Sequence, residues 1–562
     1  MSENVQVSRQ MRNRAVGNVV YCDGTQARVK TIAGLNDESQ DYWNIGQLFS
    51  IQVGDTRVIG LLHRVETDDG SWQADSQNPV TLHMELSGEV RPDGKGGQYF
   101  SSGISQYPHL GTEAHRIRKS DLQAIYASND SSAVTIGALS QSRDIPAMVS
   151  VDALLSRHFA VVGTTGTGKS TAVTLLLHLI ARAKENQRIL ILDPHNEYAS
   201  AFGQKAHIIT ADTLDLPFWM LTLEELTQIV FRGSPPISEE VDLLRDLIPR
   251  AKLQYLTGGK GGIRKSGATA GITADTPVPF RFADLTGLID DDIGSLDASD
   301  RRAILRRLRF RLDSASSDPR FRFLFGSHDA TDRMSAVLGE IFRLPIDDKP
   351  ITVFQLSGIP SEVVNSVASV LCRLAFKLAV ASNSAIKTLV VCEEAHRYIP
   401  ANKDDGFEPT RKEIARIAKE GRKYGVSLAV VTQRPNELDP TILSQCNTIF
   451  SLRLGNDLDQ DVMRKAISNS SRSSLAFLSS LADRECIAFG SAVPTPMRMT
   501  FRTLKRSAQP QSANVAAGAV DGTDIDRVVA SIRNIADTEI EEEHLPTPPE
   551  DTGRSIRKRW AG

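Results

Sequence analysis

At 562 residues the chain exceeds what one compact core accommodates, so two to four domains are expected. Its 65 Lys and Arg nearly balance 68 Asp and Glu, a net charge of −3, which excludes a histone-like coat for nucleic acid but leaves room for a local basic patch. The cysteines Cys22, Cys372, Cys392, Cys446 and Cys486 are scattered without a CxxC pair, which argues against zinc and a disulfide framework and suits a reducing cytoplasm.

The N-terminal MSENVQVSRQMRNRAVG lacks the apolar core of a signal peptide. No uninterrupted run of about 18 apolar residues occurs, so no membrane span is expected. Residues 16–140 read as short extended segments broken by turns. AVGNVVYCDG, QARVKTIAG, LFSIQVGD and TRVIGLLHRVE alternate β-branched and polar residues, which predicts a small β-barrel. The glycines of VRPDGKGGQYFSSG mark a hairpin loop or a surface excursion.

From about 150 to 505 apolar runs alternate with helical stretches, the pattern of an α/β fold. HFAVVG, RILILD, ITVFQLSG, TLVVCEEA, VSLAVVTQ, NTIFSLRL and ECIAFG are the strand candidates, apolar enough for a parallel sheet covered on both faces. Residues 221–345, with LTLEELTQIVFRG and DRRAILRRLRFRL, interrupt this core as a helical insertion. The core is therefore split into 150–220 and 346–505. After Arg506 the composition is that of a linker, followed by one helix candidate, TDIDRVVASIRNI, and an acidic, Pro-rich and then basic end. A disordered tail and a tail docked on a neighbouring subunit both accord with that text.

Gly163-Thr164-Thr165-Gly166-Thr167-Gly168-Lys169-Ser170-Thr171 fits GxxxxGK[ST], with an apolar strand leading in and a helix leading out. Glycines let backbone N–H groups wrap a phosphate, and the helix N-terminus adds its dipole. Lys169 is expected to reach the β- and γ-phosphates of ATP, and Ser170 to ligate Mg²⁺. TLVVCEEAHRYIP supplies the acidic strand end such a site needs, with Glu393 for the metal and Glu394 as base. Gln433, ending VSLAVVTQ, is a candidate to sense the γ-phosphate or orient water. Positive charge for the developing phosphate is offered by Arg157, Arg416, Lys419, Arg422 and Lys423.

VVGTTGTGKST, LDPHNEY, LPFWML, CEEAHRYIP, EGRKYGVSLAVVTQRP and SQCNTIFSLRL, in this order, resemble the HerA branch of the HerA/FtsK translocases. The resemblance spans about 16–505. It implies a RecA-like P-loop ATPase core behind an N-terminal arm (1–15) and a HAS-type β-barrel (16–140), with a tail over 506–562. It further implies that Glu394 is the catalytic glutamate, Gln433 the sensor, and Arg422 an arginine reaching into the next subunit's site, with Arg416 the weaker candidate. Arg157 resembles a nucleotide-contacting arginine, and Asp193 is placed to support the metal or its water. Glu393 departs from the commoner Asp.

Family members are homohexameric rings that thread double-stranded DNA. They act in end resection during DNA repair with a NurA-like nuclease, or in anti-phage defence with a nuclease or a sirtuin-like NAD-cleaving effector. The implied activity is thus a cytoplasmic, ATP-driven DNA translocase or helicase. Two other readings remain: a ring scaffold that assembles an effector with little translocation, and a DNA pump at a membrane. NKDDGFEPTRKE, with Lys403, Arg411 and Lys412, is a candidate pore loop.

Overall fold

The computed structural model describes residues 15–511 apart from 34–42, 69, 74–75, 127–129, 211–212, 233, 235, 258–270, 296–300, 327–330, 358, 360, 403–406 and 468–472. The expected arm (all but its last residue), Lys403 and the tail from residue 512 onward, with TDIDRVVASIRNI, lie outside the described residues.

The opening segments pair as β1 (Ala15–Cys22), β2 (Gln26–Ala33), β3 (Leu48–Val53), β4 (Thr56–Thr67), β5 (Asn78–Pro92), β6 (Gln98–Ser101) and β7 (Glu113–Arg116). The strand order is β2-β1-β7-β3-β4-β5-β6, and β2 also pairs with β5, which closes the sheet into a barrel. The period-2 pattern does the sorting. In β2, Ala27, Val29, Thr31 and Ala33 are buried while Arg28, Lys30 and Ile32 face out. The Asp93–Gly97 turn joins β5 to β6, so the glycine-rich tract is a hairpin loop.

Arg57 of β4 pairs at 2.7 Å with fully buried Asp121 on the helix Lys119–Tyr126, which leads from the barrel to the core. Ser473 N–H donates to Glu85 of β5 at 3.0 Å and ties the barrel to the core directly.

The core strands are β8 (Ala133–Leu139), β9 (Pro146–Ser150), β10 (Phe159–Val162), β11 (Gln187–Asp193), β12 (Ala206–Ile209), β13 (Ile351–Gln355), β14 (Lys387–Cys392), β15 (Val426–Thr432), β16 (Thr448–Ser451), β17 (Glu485–Gly490) and β18 (Met497–Phe501). They form one 11-stranded sheet in the order β12-β13-β11-β14-β15-β10-β16-β17-β18-β8-β9. From β12 to β16 neighbours run parallel; from β16 onward they run antiparallel.

Two expectations need correction. Ala133–Leu139 belongs to the core sheet through β18, so the barrel stops short of residue 140. ECIAFG is a strand, but an antiparallel one, because continuous apolar character reports burial on both faces and not direction.

The insertion is helical, with Leu223–Val230, Ser238–Leu256, Phe282–Gly294 and Arg302–Ser316 as its longer helices. It is fastened to the core helix Ser361–Ala381 by Arg373, whose guanidinium bonds both carboxylate oxygens of Glu225. Val363–Ala381 is long and apolar enough to cross a membrane, but it packs largely inside the core.

The helix Glu408–Arg416 continues through π-helical Ile417–Gly421 into Arg422–Tyr424 and then β15. A Cβ on Gly421 would lie 2.5 Å from the Val426 carbonyl, so only glycine permits this approach. His158 fixes the junction. Its Nδ1 accepts from Leu428 N–H at 2.9 Å, and Nε2 donates to the Ala418 carbonyl at 3.1 Å. Two of the three basic residues of the candidate pore loop lie on this helix. Arg411 and Lys412 sit on a helix started by Pro409, and Lys412 pairs with Glu224 at 2.7 Å and Glu408 at 3.2 Å.

Candidate active site

Strand β10 lies between β15 and β16, parallel to both, and delivers the 163–171 loop at the C-terminal edge of the sheet. Ligands of open α/β sheets bind at that edge. The loop is held by Thr164, whose N–H donates to Arg453 O at 3.1 Å, and by the Thr167 hydroxyl, which donates to Thr164 O at 2.7 Å. Gly168 adopts φ 94, and a Cβ there would sit 3.0 Å from Arg484 Cγ. The helix Lys169–Ala183 follows, aiming its N-terminus into the loop.

Adjacent strands bring the remaining groups to the same edge. Buried Lys169 places Nζ 3.3 Å from Glu394 Oε1 and 3.8 Å from Glu393 Oε1, both at the end of β14. Glu394 has φ 50, a left-handed conformation uncommon for a non-glycine residue, and its Oε2 is buried without a hydrogen bond. Glu393 accepts from the Tyr198 hydroxyl at 2.6 Å. Burial pushes the Glu393 carboxyl up to about 7, with Lys169 and Tyr198 opposing the shift. Gln433, just past β15, accepts from the Thr165 hydroxyl at 2.5 Å.

Asp193, at the end of β11, is fully buried and turned to the backbone that follows it. Its oxygens accept from the N–H groups of His195, Glu197 and Tyr198 at 3.3, 3.2 and 3.0 Å. It organises the loop, and Glu197 is the residue that meets the P-loop: Ser170 Oγ donates to Glu197 Oε2 at 2.8 Å.

The arginines lie elsewhere. Arg157 precedes β10 and Arg422 precedes β15, at the N-terminal edge of strands whose far ends carry Gly163 and Gln433. The four residues of β10, about 13 Å of extended chain, separate Arg157 from its own P-loop. Arg157 therefore stands apart from the phosphate-binding residues of its own chain. Both side chains are exposed. Arg416 is occupied, stacked 4.2 Å over the Phe376 ring.

Sequence reasoning missed Glu197, His396 and Arg484. Glu197 stood within LDPHNEY, four residues after Asp193. His396 Nδ1 lies 3.0 Å from Thr432 Oγ1 and 3.4 Å from Glu394 Oε2. Arg484 donates its N–H to Thr167 O at 2.9 Å, although nothing in LADREC signals a P-loop contact.

Among the described residues no group of three or more His, Cys, Asp or Glu forms a metal cage. A serine hydroxyl and neighbouring carboxylates beside a phosphate loop do suit Mg²⁺, which commonly takes one or two carboxylates plus substrate phosphates.

The fold and this site define a RecA-like P-loop ATPase. Residues 134–375 match the family model described as "Helicase HerA, central domain". The chain is 27% identical over 403 residues to a probable helicase of Methanocaldococcus jannaschii, covering 68% of this chain and 72% of that protein. It is 24% identical over 435 residues to the DNA double-strand break repair helicase HerA of Pyrococcus furiosus, covering 68% and 71%. Among solved structures, VirB4 of Thermoanaerobacter pseudethanolicus aligns with a TM-score of 0.47 and 16% identity, over 67% of this chain and 98% of that one. The chain is thus similar to HerA helicases, through its central domain and over about two thirds of its length.

Proposed function

We propose that this chain is an ATP-driven translocase for double-stranded DNA that works as a ring, a hexamer by family resemblance, with an effector in DNA end processing or anti-phage defence. One observation carries the ring reading: the hydrolytic groups and the exposed arginines stand at opposite edges of one sheet. A single chain therefore holds a P-loop, a base and a sensor at one edge, and offers Arg157 and Arg422 at the other to a neighbouring copy. The relatives named as DNA repair helicases support DNA as the substrate.

The chemistry follows from the side chains. Lys169 exchanges its glutamate partners for phosphate oxygens, and Ser170 faces the magnesium of MgATP. Magnesium held there would supply positive charge against the phosphates. Glu394, relieved of Lys169, holds the attacking water and takes its proton. Gln433 trades Thr165 for the γ-phosphate or the water and reports the state of the site to β15. Arg422 of a neighbouring copy compensates the charge developing in the transition state.

The deciding experiment is ATP hydrolysis by the purified protein with and without linear duplex DNA, beside Glu394→Gln. Stimulation by DNA that disappears in the variant supports a coupled motor. Glu394-dependent hydrolysis indifferent to DNA favours the scaffold reading.

A further inference from the structure

The P-loop serine can present an oxygen lone pair to a metal only if its proton is directed elsewhere. An acceptor fixed beside the hydroxyl achieves that. The structure supplies one: Glu197 Oε2, 2.8 Å from Ser170 Oγ. Its placement is not a matter of a loose side chain. Asn196 turns the chain at φ 55, Asp193 accepts from the Glu197 N–H at 3.2 Å, and Gln511 N–H donates to the Glu197 carbonyl at 3.2 Å. The next residue, Tyr198, is anchored at both ends, by N–H to Asp193 and by its hydroxyl to Glu393. Both main-chain polar groups of Glu197 are thus committed, and its carboxylate is delivered to the start of the P-loop helix.

We propose that Glu197 is a positioning residue for the metal side of the ATP site, orienting the Ser170 hydroxyl so that its oxygen is free to meet magnesium. This rests on reading the P-loop as a MgATP site. A residue of this kind works through the ligand it orients, and loss of such a partner typically costs about 10–100-fold in metal affinity. A role limited to favouring the helix N-terminus through the dipole would instead stabilise the fold and leave metal binding alone.

The test uses the full chain, its Glu197→Ala and Glu197→Gln variants, and ADP as probe. Affinity is measured by calorimetry in EDTA and across a Mg²⁺ titration, and Mn²⁺ binding in the presence of ADP is followed by electron paramagnetic resonance. The expected result is ADP affinity in EDTA within about two-fold of the parent in both variants. The gain on adding Mg²⁺, and the Mn²⁺ affinity, should fall about 10–100-fold in Glu197→Ala. Glu197→Gln keeps an acceptor oxygen and is expected to lie between, which also guards against a folding defect in the alanine variant. A parent-like Mg²⁺ gain in both variants overturns the inference, all the more if Glu197→Ala melts earlier. Absence of any Mg²⁺ gain in the parent overturns the MgATP reading itself.

Discussion

Lys169 Nζ lies 3.3 Å from Glu394 Oε1, so the P-loop cation and the proposed base share one buried ion pair. Phosphate oxygens that draw Lys169 away therefore compete with Glu394 for a single cation, coupling arrival of ATP to release of the base. Glu394→Gln removes that competitor. ATP affinity is expected to be retained or raised while turnover falls on the order of 10²–10⁴-fold. Equilibrium binding beside single-turnover hydrolysis checks this, and parent-like turnover would remove Glu394 from the mechanism.

Arg422 is predicted to act on a neighbour's site. Arg422→Ala and Lys169→Ala should each be nearly inactive alone, the first by on the order of 10³-fold. Mixed before assembly, they should regain part of the activity, because some sites then combine an intact P-loop with an intact arginine. A mixture as inactive as its components would place Arg422 outside the site.

Arg416 provides a contrast. Its guanidinium lies over the Phe376 ring and 4.0 Å from Glu413, so Arg416→Ala should cost stability, about 1 kcal/mol, more than catalysis. Turnover per folded chain close to the parent's, with a lowered melting temperature, is the expected outcome. A large loss of turnover at unchanged stability would reverse the assignment.

The Arg373–Glu225 pair is almost wholly buried, with side chains 5% and 2% exposed. Arg373→Met leaves Glu225 charged and poorly partnered and should cost about 3–5 kcal/mol. Adding Glu225→Leu should recover part of that loss. Thermal scans of both variants decide the point; no recovery in the double variant would mean that packing, not charge, holds the insertion to the core.

His158 predicts an acid-sensitive component of stability. Burial lowers its pKa from 6.5 to about 4, so between these values the unfolded chain takes up a proton that the native chain does not. Stability from this residue is present above pH 6.5 and is lost as pH falls toward 4. His158→Gln should flatten that part of the profile, as read by thermal midpoints across the same pH range. An unchanged slope would assign the acid sensitivity to other groups.

Much of the site was legible because its chemistry is local. Phosphate binding by a loop needs glycines, Lys169 and Ser170 within a few residues, and that spacing survives in the text. Adjacent Glu393 and Glu394 after an apolar strand are legible for the same reason. Strand direction was not: ECIAFG has the apolar run of a buried strand whichever way it points. Nor was it legible that Arg157, near Gly163 in sequence, lies apart from it in space because β10 is extended between them.

By itself, the order of residues determined that this chain binds ATP on a P-loop, that a β-rich unit precedes an α/β core, and that helices interrupt that core. Each of these follows from local spacing or from hydrophobic period, properties a linear text retains. Only the tertiary structure decided that Asp193 organises a loop while Glu197 meets Ser170, that Lys169 rests on Glu394, and that the arginines face away from their own site. Those depend on which strands lie side by side and at which edge each ends, and that is settled by packing among segments hundreds of residues apart.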